Sequence, residues 1–414
     1  MELNWKRNLA SVWLGCFFTG LAMSQIMPFL PLYVEQLGIH EHGALSLWSG
    51  LVFSSTFLVA AIVAPLWGSL ADRMGRRPML LRAALGMAIA IALQGMATNV
   101  YQLVALRALM GLASGFIPNG MALVASQAPR ERSGWALGTL STAQVTGVIA
   151  GPLLGGFLAD HIGLRWVFML TSGMMFISFL VTLFLIREGR VVQVERKDHM
   201  SNREVFRSWQ YPMLMLTLFI TTLMIQVANG SIGPVLTLFI RYLIGGGQEN
   251  VAFMSGIVAS LPGIAALIAA PRLGRLGDKV GMARILVPAL AVAALLFIAM
   301  SLVATPCQLA GLRFLLGFAD GALLPAVQTL LVTFSSQRVT GRVLGYNQSF
   351  LYLGNMLGPM MGSTVSALWG FRWVFVATSV LVALNAIQLF INVRRLPREV
   401  RYGHKLPEDK MTSR

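Results

Sequence analysis

This sequence predicts an all-α integral membrane protein of twelve transmembrane helices, arranged as two six-helix pseudo-repeats. Three observations carry that prediction. The 414-residue chain is 56% hydrophobic and only 12% charged, about half the charge of an ordinary soluble domain. It divides into twelve apolar runs long enough to cross a bilayer. Its second half repeats its first in nearly one register. The composition excludes a soluble enzyme, a disordered chain and a secreted disulfide scaffold. The two cysteines, Cys16 and Cys307, read as small apolar residues.

A membrane-crossing helix needs about 20 mostly apolar residues. Such runs cover 9–34, 45–70, 79–98, 101–125, 135–159, 164–186, 211–240, 250–273, 284–304, 307–334, 343–367 and 371–393. The first follows Lys6 and Arg7, as a signal peptide would. It is longer than the apolar core of such a signal, about 7–15 residues, and no small-x-small cleavage site follows, so it reads as a retained span. The longest polar interruption, 187–209, divides the spans six and six. The expected organisation is an N-terminal half (1–186), a cytoplasmic linker (187–209), a C-terminal half (210–397) and a cytoplasmic tail (398–414).

The net charge of +16 comes from 32 Lys and Arg against 16 Asp and Glu. With both termini in the cytoplasm, 27 of those cations fall on the cytoplasmic side. Three fall outside (Arg165, Arg241, Arg372) and two, Arg107 and Arg313, within spans. The positive-inside rule accounts for that bias, and nucleic acid is not needed as a partner.

A shift of 206 residues places Pro28 on Pro234, Gly68, Asp72 and Gly75 on Gly274, Asp278 and Gly281, and Arg107 and Gly111 on Arg313 and Gly317. A shift of 207 places Gly147, Gly151, Pro152 and Gly155 on Gly354, Gly358, Pro359 and Gly362. Because six spans separate the copies, they share one orientation. Two such halves can rock about a central site.

Four groups of residues carry chemistry. The loop after span 2 runs from Gly68 through Asp72, Arg73, Gly75, Arg76 and Arg77. Its glycines permit a tight turn, and Asp72 can cap a neighbouring helix or pair with arginine. This is a candidate conformational latch, with Asp278 as its second copy; the alternative is a plain cytoplasmic turn. Arg107 is an intramembrane charge, costly and therefore a functional candidate; it is expected to face the cavity and find a partner, the alternative being a snorkelling arginine. Asp320 lies near the middle of span 10, seven residues after Arg313 and on the same face. Burial favours its neutral form and the arginine its charged one, a balance suited to taking and releasing a proton. The alternative is a structural ion pair. Glu35, at an outer span end, is a weaker proton candidate. Span 5 carries Gly147, Gly151, Pro152, Gly155 and Gly156, a smooth face with a kink. It reads as either a pivot or simple packing.

Polar and aromatic residues within spans are candidates for a substrate cavity: Gln25, Asn119, Gln144, Gln226, Asn229, Tyr346, Asn347 and Phe350. Some would only bond neighbouring helices. There is no G-x-x-x-x-G-K-[ST] phosphate loop, so ATP is not the evident fuel. No zinc spacing or nucleophile elbow occurs, so no enzyme, metal or cofactor is expected.

These residues resemble the major facilitator superfamily. The 68–78 loop matches its signature after span 2. Arg107 with Gly111 matches the span 4 signature of its proton-coupled drug transporters. Gly151-Pro152-Leu153-Leu154-Gly155-Gly156 is similar to the span 5 signature of its antiporters. Together they look like the twelve-span drug:proton antiporter family, over nearly the whole chain. The resemblance implies export of amphiphilic drugs and antibiotics in exchange for protons, by a monomer in the bacterial inner membrane. Arg107 would carry proton linkage, and Asp72, Arg73 and the loop glycines the latch. One departure matters: some drug antiporters hold an acid within span 1, where this sequence has Gln25. The proton site is then expected elsewhere, at Asp320, or the coupling is of a different kind. The competing expectation is a superfamily carrier for a single metabolite, such as a sugar or nucleoside.

Overall fold

The computed structural model describes residues 5–129, 132–188, 205–206, 209, 211–245, 250–335 and 339–395. Most of the expected linker and all of the expected tail lie outside these residues, as does the side chain of Asp278. Among the described residues the chain is all-helical.

Span 1 is Trp5–Gln25, a 3-10 turn at Met27–Phe29, and Leu30–Gln36. Pro28 and Pro31 each remove a backbone donor there, which breaks the helix. Its repeat mate, span 7 (Pro212–Leu243), stays continuous through Pro234. Thr237 replaces the second proline, and its hydroxyl donates across the molecule to the Pro28 carbonyl. Span 2 is His42–Met74, span 3 Arg76–Gly95, span 5 Ser133–Ile162 and span 6 Leu164–Leu185. Span 8 is Val251–Val280, span 9 Met282–Ser301, span 10 Pro306–Thr333, span 11 Thr340–Trp369 and span 12 Phe371–Arg394. Span 4, expected as one helix, is two: Val100–Ala113 and Phe116–Gln127. Single glycines join adjacent spans, Gly75 and its mate Gly281, Gly163 and its mate Gly370, all with φ between 85° and 95°. Only glycine reaches that region without strain.

Eleven of the twelve spans are both long and apolar enough to cross a membrane. The exception is span 11, which carries Asn347, Gln348 and Asn355. Its polarity suits an interior position. Leu66, Ile62, Phe184, Leu295 and Leu302 are exposed, as are Trp135, Trp166, Trp369 and Trp373 near helix ends. Aromatics at helix ends are the usual anchors at a lipid–water boundary.

The glycine faces set the packing. A Cβ added at Gly147, Gly151 or Gly155 would strike the backbone of span 1 between Phe17 and Gln25. Their mates Gly354, Gly358 and Gly362 meet span 7 in the same way, between Leu223 and Ser231. Gly156 turns instead to Ala252 and Phe253 of span 8, while Gly256 of span 8 meets the Pro152 carbonyl. The span 5 motif therefore serves both alternatives: three glycines pack within the first half and the fourth contacts the second. Gly155→Val is expected to cost roughly 1–3 kcal/mol, as overpacking does, seen as a lowered melting temperature in detergent. An unchanged melting temperature would show that spans 1 and 5 can separate freely.

Candidate functional site

The two halves meet at the end of the bundle where spans 1 and 2 join. Glu35 accepts two hydrogen bonds from Arg241, at 2.6 and 3.1 Å. The two residues are 206 apart, so they are repeat mates facing one another across the pseudo-twofold axis. Asp160 accepts from the Phe253 amide at 2.8 Å, capping the positive N-terminus of span 8. Spans 2 and 11 are stitched by Ser54 donating to the Met356 carbonyl at 2.7 Å and by Ser46 and Ser366 at 3.2 Å. Spans 5 and 8 are joined by Ser260 donating to the Ile149 carbonyl at 2.8 Å. Small residues and hydroxyls thus seal this end. At the opposite end Trp135, Leu66, Met74, Leu267 and Leu276 stand exposed on the same pairs of helices.

Glu35, considered above for proton coupling, is thus placed in the seal. Glu35→Gln is expected to weaken the sealed arrangement by about 0.2–1 kcal/mol, the worth of a partly exposed ion pair. The check is the labelling rate of a cysteine placed at buried Ser46, expected to rise by up to about fivefold. No rise would remove the pair from the seal.

The predicted latch lies at the other end, where among the described residues Arg76 and Arg77 are bonded to their own half. Arg76 pairs with Asp72 and donates to Asn119 at 3.3 Å. The Glu188 carboxylate accepts from the Arg76 and Arg77 amides, both at 2.7 Å. It caps span 3, satisfying two of the donors every helix N-terminus leaves open. Arg77 also donates to the Leu183 carbonyl at 2.8 Å. Arg73 is exposed, and Gly68 has open space around it.

Arg107 does not open onto a cavity. It is 2% exposed, wedged among spans 1, 2 and 4. Its guanidinium donates to the Val52 carbonyl at 3.3 Å and touches the Met110 and Met27 sulfurs at 3.7 and 3.4 Å. Among the described residues no carboxylate pairs with it. Its neighbours are two methionines that no motif singles out.

Asp320 lies midway along span 10, half-buried, and accepts from Asn229 of span 7 at 3.5 Å. No ion pair joins it to Arg313 among the described residues; the Arg313 Nε is buried without a hydrogen-bond partner. One turn from Asn229, Gln226 donates to Asn355 of span 11 at 3.0 Å. Nearby on those helices Asn347 accepts from Thr222 at 2.6 Å, and Phe350 stacks on Phe219 at 5.3 Å between centroids. Tyr346 stacks on Phe206. The polar and aromatic candidates of the second half therefore converge along spans 7, 10 and 11.

Those of the first half do not. Gln25 is fully buried inside that half, accepting from Thr171 at 3.1 Å under Gly155. Asn119 is buried and belongs to the Arg76 network. Gln144 is half-buried where its own backbone carbonyl crosses Gly20 of span 1. Burial excludes Gln25 and Asn119 from a cavity wall in this conformation.

The Major Facilitator Superfamily model matches residues 12–306 and 214–411. The chain belongs to the major facilitator superfamily. It is 60% identical over 393 residues to the multidrug resistance protein MdtG of Klebsiella pneumoniae (strain 342), covering 95% of each chain. It is 59% identical over 395 residues to MdtG of Salmonella typhimurium, covering 95% of this chain and 97% of that one. Its fold is similar to the crystal structure of a bacterial homologue of the human lysosomal transporter Spinster in an inward-facing, unoccupied conformation. There the TM-score is 0.77 at 16% identity, over 95% of this chain and 98% of that one. The major facilitator fold with twelve helices is therefore the architecture, in a multi-pass membrane protein.

Four residues with evident roles escaped the sequence. Arg241 could have been found as the repeat mate of Glu35. Glu188 is hidden in the linker, and Arg82, near the cytoplasmic end of span 3, reads as one more cytoplasmic cation. Trp67 gave no signal at all.

Proposed function

We propose that this major facilitator protein exports amphiphilic small molecules, drugs and antibiotics among them, in exchange for protons. The observation that carries this is Asp320, an acid midway along a membrane helix and bonded to exposed Asn229. The 60% identity to a multidrug resistance protein supports the cargo class. The positive-inside count puts the cation-rich end in the cytoplasm. The sealed end then faces outward and the arrangement is open to the cytoplasm.

In that state Asp320 gives its proton to the cytoplasm and the cavity takes up cargo against the aromatic and amide residues of spans 7 and 11. The halves rock, cargo leaves, and a proton from outside returns to Asp320. The proton gradient is the only fuel. One proton crossing 100 mV releases about 2.3 kcal/mol, enough for a roughly 40-fold gradient of a neutral drug. Arg107 and Arg313 hold fixed positive charge beside the path. One chain supplies both halves, so the monomer in the inner membrane is the transporting unit.

The test is an acidified inverted-vesicle assay with cationic, neutral and anionic amphiphiles. Several of them should collapse the pH gradient in vesicles holding the protein and not in empty ones. If none does, while one labelled metabolite is carried, the protein is a single-substrate carrier.

A further inference from the structure

Span 4 breaks where its repeat mate does not. Ser114 is extended, with φ −61° and ψ 171°, and Gly115 sits at φ 113°. Pro118 lacks the N–H that the Ser114 carbonyl would take in an unbroken helix. In span 10 the equivalent residues are Asp320, Gly321 and Leu324, and the helix runs through. The freed carbonyls of span 4 are not left to lipid. Arg82 of span 3 donates to Leu112 at 2.9 Å and to Ser114 at 2.7 Å. The Trp67 indole of span 2 also donates to Leu112, at 2.9 Å. The Arg82 guanidinium lies 3.8 Å over the Trp67 ring, a cation–π contact. Below the break, Asn119 holds the Gly115 carbonyl at 2.8 Å and accepts from Arg76 of the loop.

Neither half repeats this device in the other. The mates of Arg82 and Trp67 are Pro288 and Leu273. Unpaired backbone groups at membrane depth cost several kcal/mol each, so a broken helix needs such donors to persist. The break separates the segment holding Arg107 from the segment tied to the loop.

We infer that Arg82 and Trp67 are positioning residues for transport: they clamp span 4 open at Ser114–Gly115 as a hinge between the Arg107 segment and the Asp72–Arg76 loop. This rests on the transport reading above, but its first readout does not. Arg82 holds the two freed carbonyls on the Arg107 side of the break, Leu112 and Ser114, so the turn at Gly115 can flex without losing these hydrogen bonds, whereas a continuous helix would move Arg107 and the loop as one rod.

Two variants test this in the full-length protein in vesicles. Gly115→Ala/Pro118→Leu gives span 4 the residues of a continuous helix, leucine being the one span 10 carries. Backbone amide exchange over 115–117 is expected to slow at least tenfold and drug-driven proton flux to fall below a tenth. Arg82→Gln removes the clamp. Its maximal flux is expected to fall at least tenfold with the half-saturating drug concentration within twofold, and Arg82→Lys to recover a third or more. A merely structural role would move both kinetic parameters together and would not be rescued. Native flux in either the double variant or Arg82→Gln overturns the inference, as does unchanged exchange in the double variant. If the native protein moves no protons with any drug, the transport reading fails instead, and the exchange comparison still decides the hinge.

Discussion

Asp320→Asn is expected to abolish drug-dependent proton flux, by at least 100-fold, in a protein that folds and reaches the membrane normally. Asparagine keeps the side-chain volume and can still face Asn229, now 3.5 Å from the carboxylate. It cannot carry a proton. Removing a charge from membrane depth also relieves a cost, so the melting temperature should not fall. Drug-for-drug exchange across the vesicle should persist, since it needs the rocking motion and not the proton. Asp320→Glu should retain about a tenth of the native rate, with the proton carrier displaced by one methylene. A gradient that still collapses through Asp320→Asn would move the proton site to Glu35 or Asp160, the acids of the seal.

Arg107→Leu is expected to lower transport by at least 100-fold while leaving stability unchanged or raising it. The arginine is buried against one carbonyl and two thioethers, with no carboxylate beside it among the described residues. Replacing a poorly compensated buried charge by an apolar group of similar size is commonly neutral or stabilising. The stability that the native residue forgoes is then the measure of its functional use. Thermal melting and flux on the same preparation check both halves. If Arg107→Leu transports at the native rate, the residue is a packing element and the family's proton-linkage role does not extend to it here.

Much of the fold was legible because membrane spans, turn glycines and repeats are local or periodic signals. Gly75 and Gly281 stop one helix and start the next, as their spacing implied. The two breaks were not read, although each had a cause in view: paired Pro28 and Pro31 in span 1, and Gly115 followed by Pro118 in span 4. A hydropathy window averages across them. The site was half legible. Asp320, Asn229, Gln226 and Phe350 come together because they belong to neighbouring helices of one half. Gln25 and Asn119 look identical to them in sequence yet turn inward, since the face a polar residue presents depends on which neighbour packs against it. Glu35 and Arg241 illustrate the remaining gap: pairing across the axis needs the halves to be docked before it can be seen.

The helices differ in length by role. Spans 2, 5, 7, 8 and 11, which together with the broken span 1 form the contact between halves, have 33, 30, 32, 30 and 30 residues. Spans 3 and 9, at the periphery, have 20 each. At helical rise that is about 45–50 Å against about 30 Å, in a hydrocarbon layer about 30 Å thick. The short spans fit upright; the long ones must lean or protrude, at a cost that grows with each ångström of mismatch. Rocking the halves changes how far the long helices lean. The thickness of the host membrane therefore weighs on which way the protein faces, with no ligand involved, and the lipid becomes a silent effector of the transport cycle.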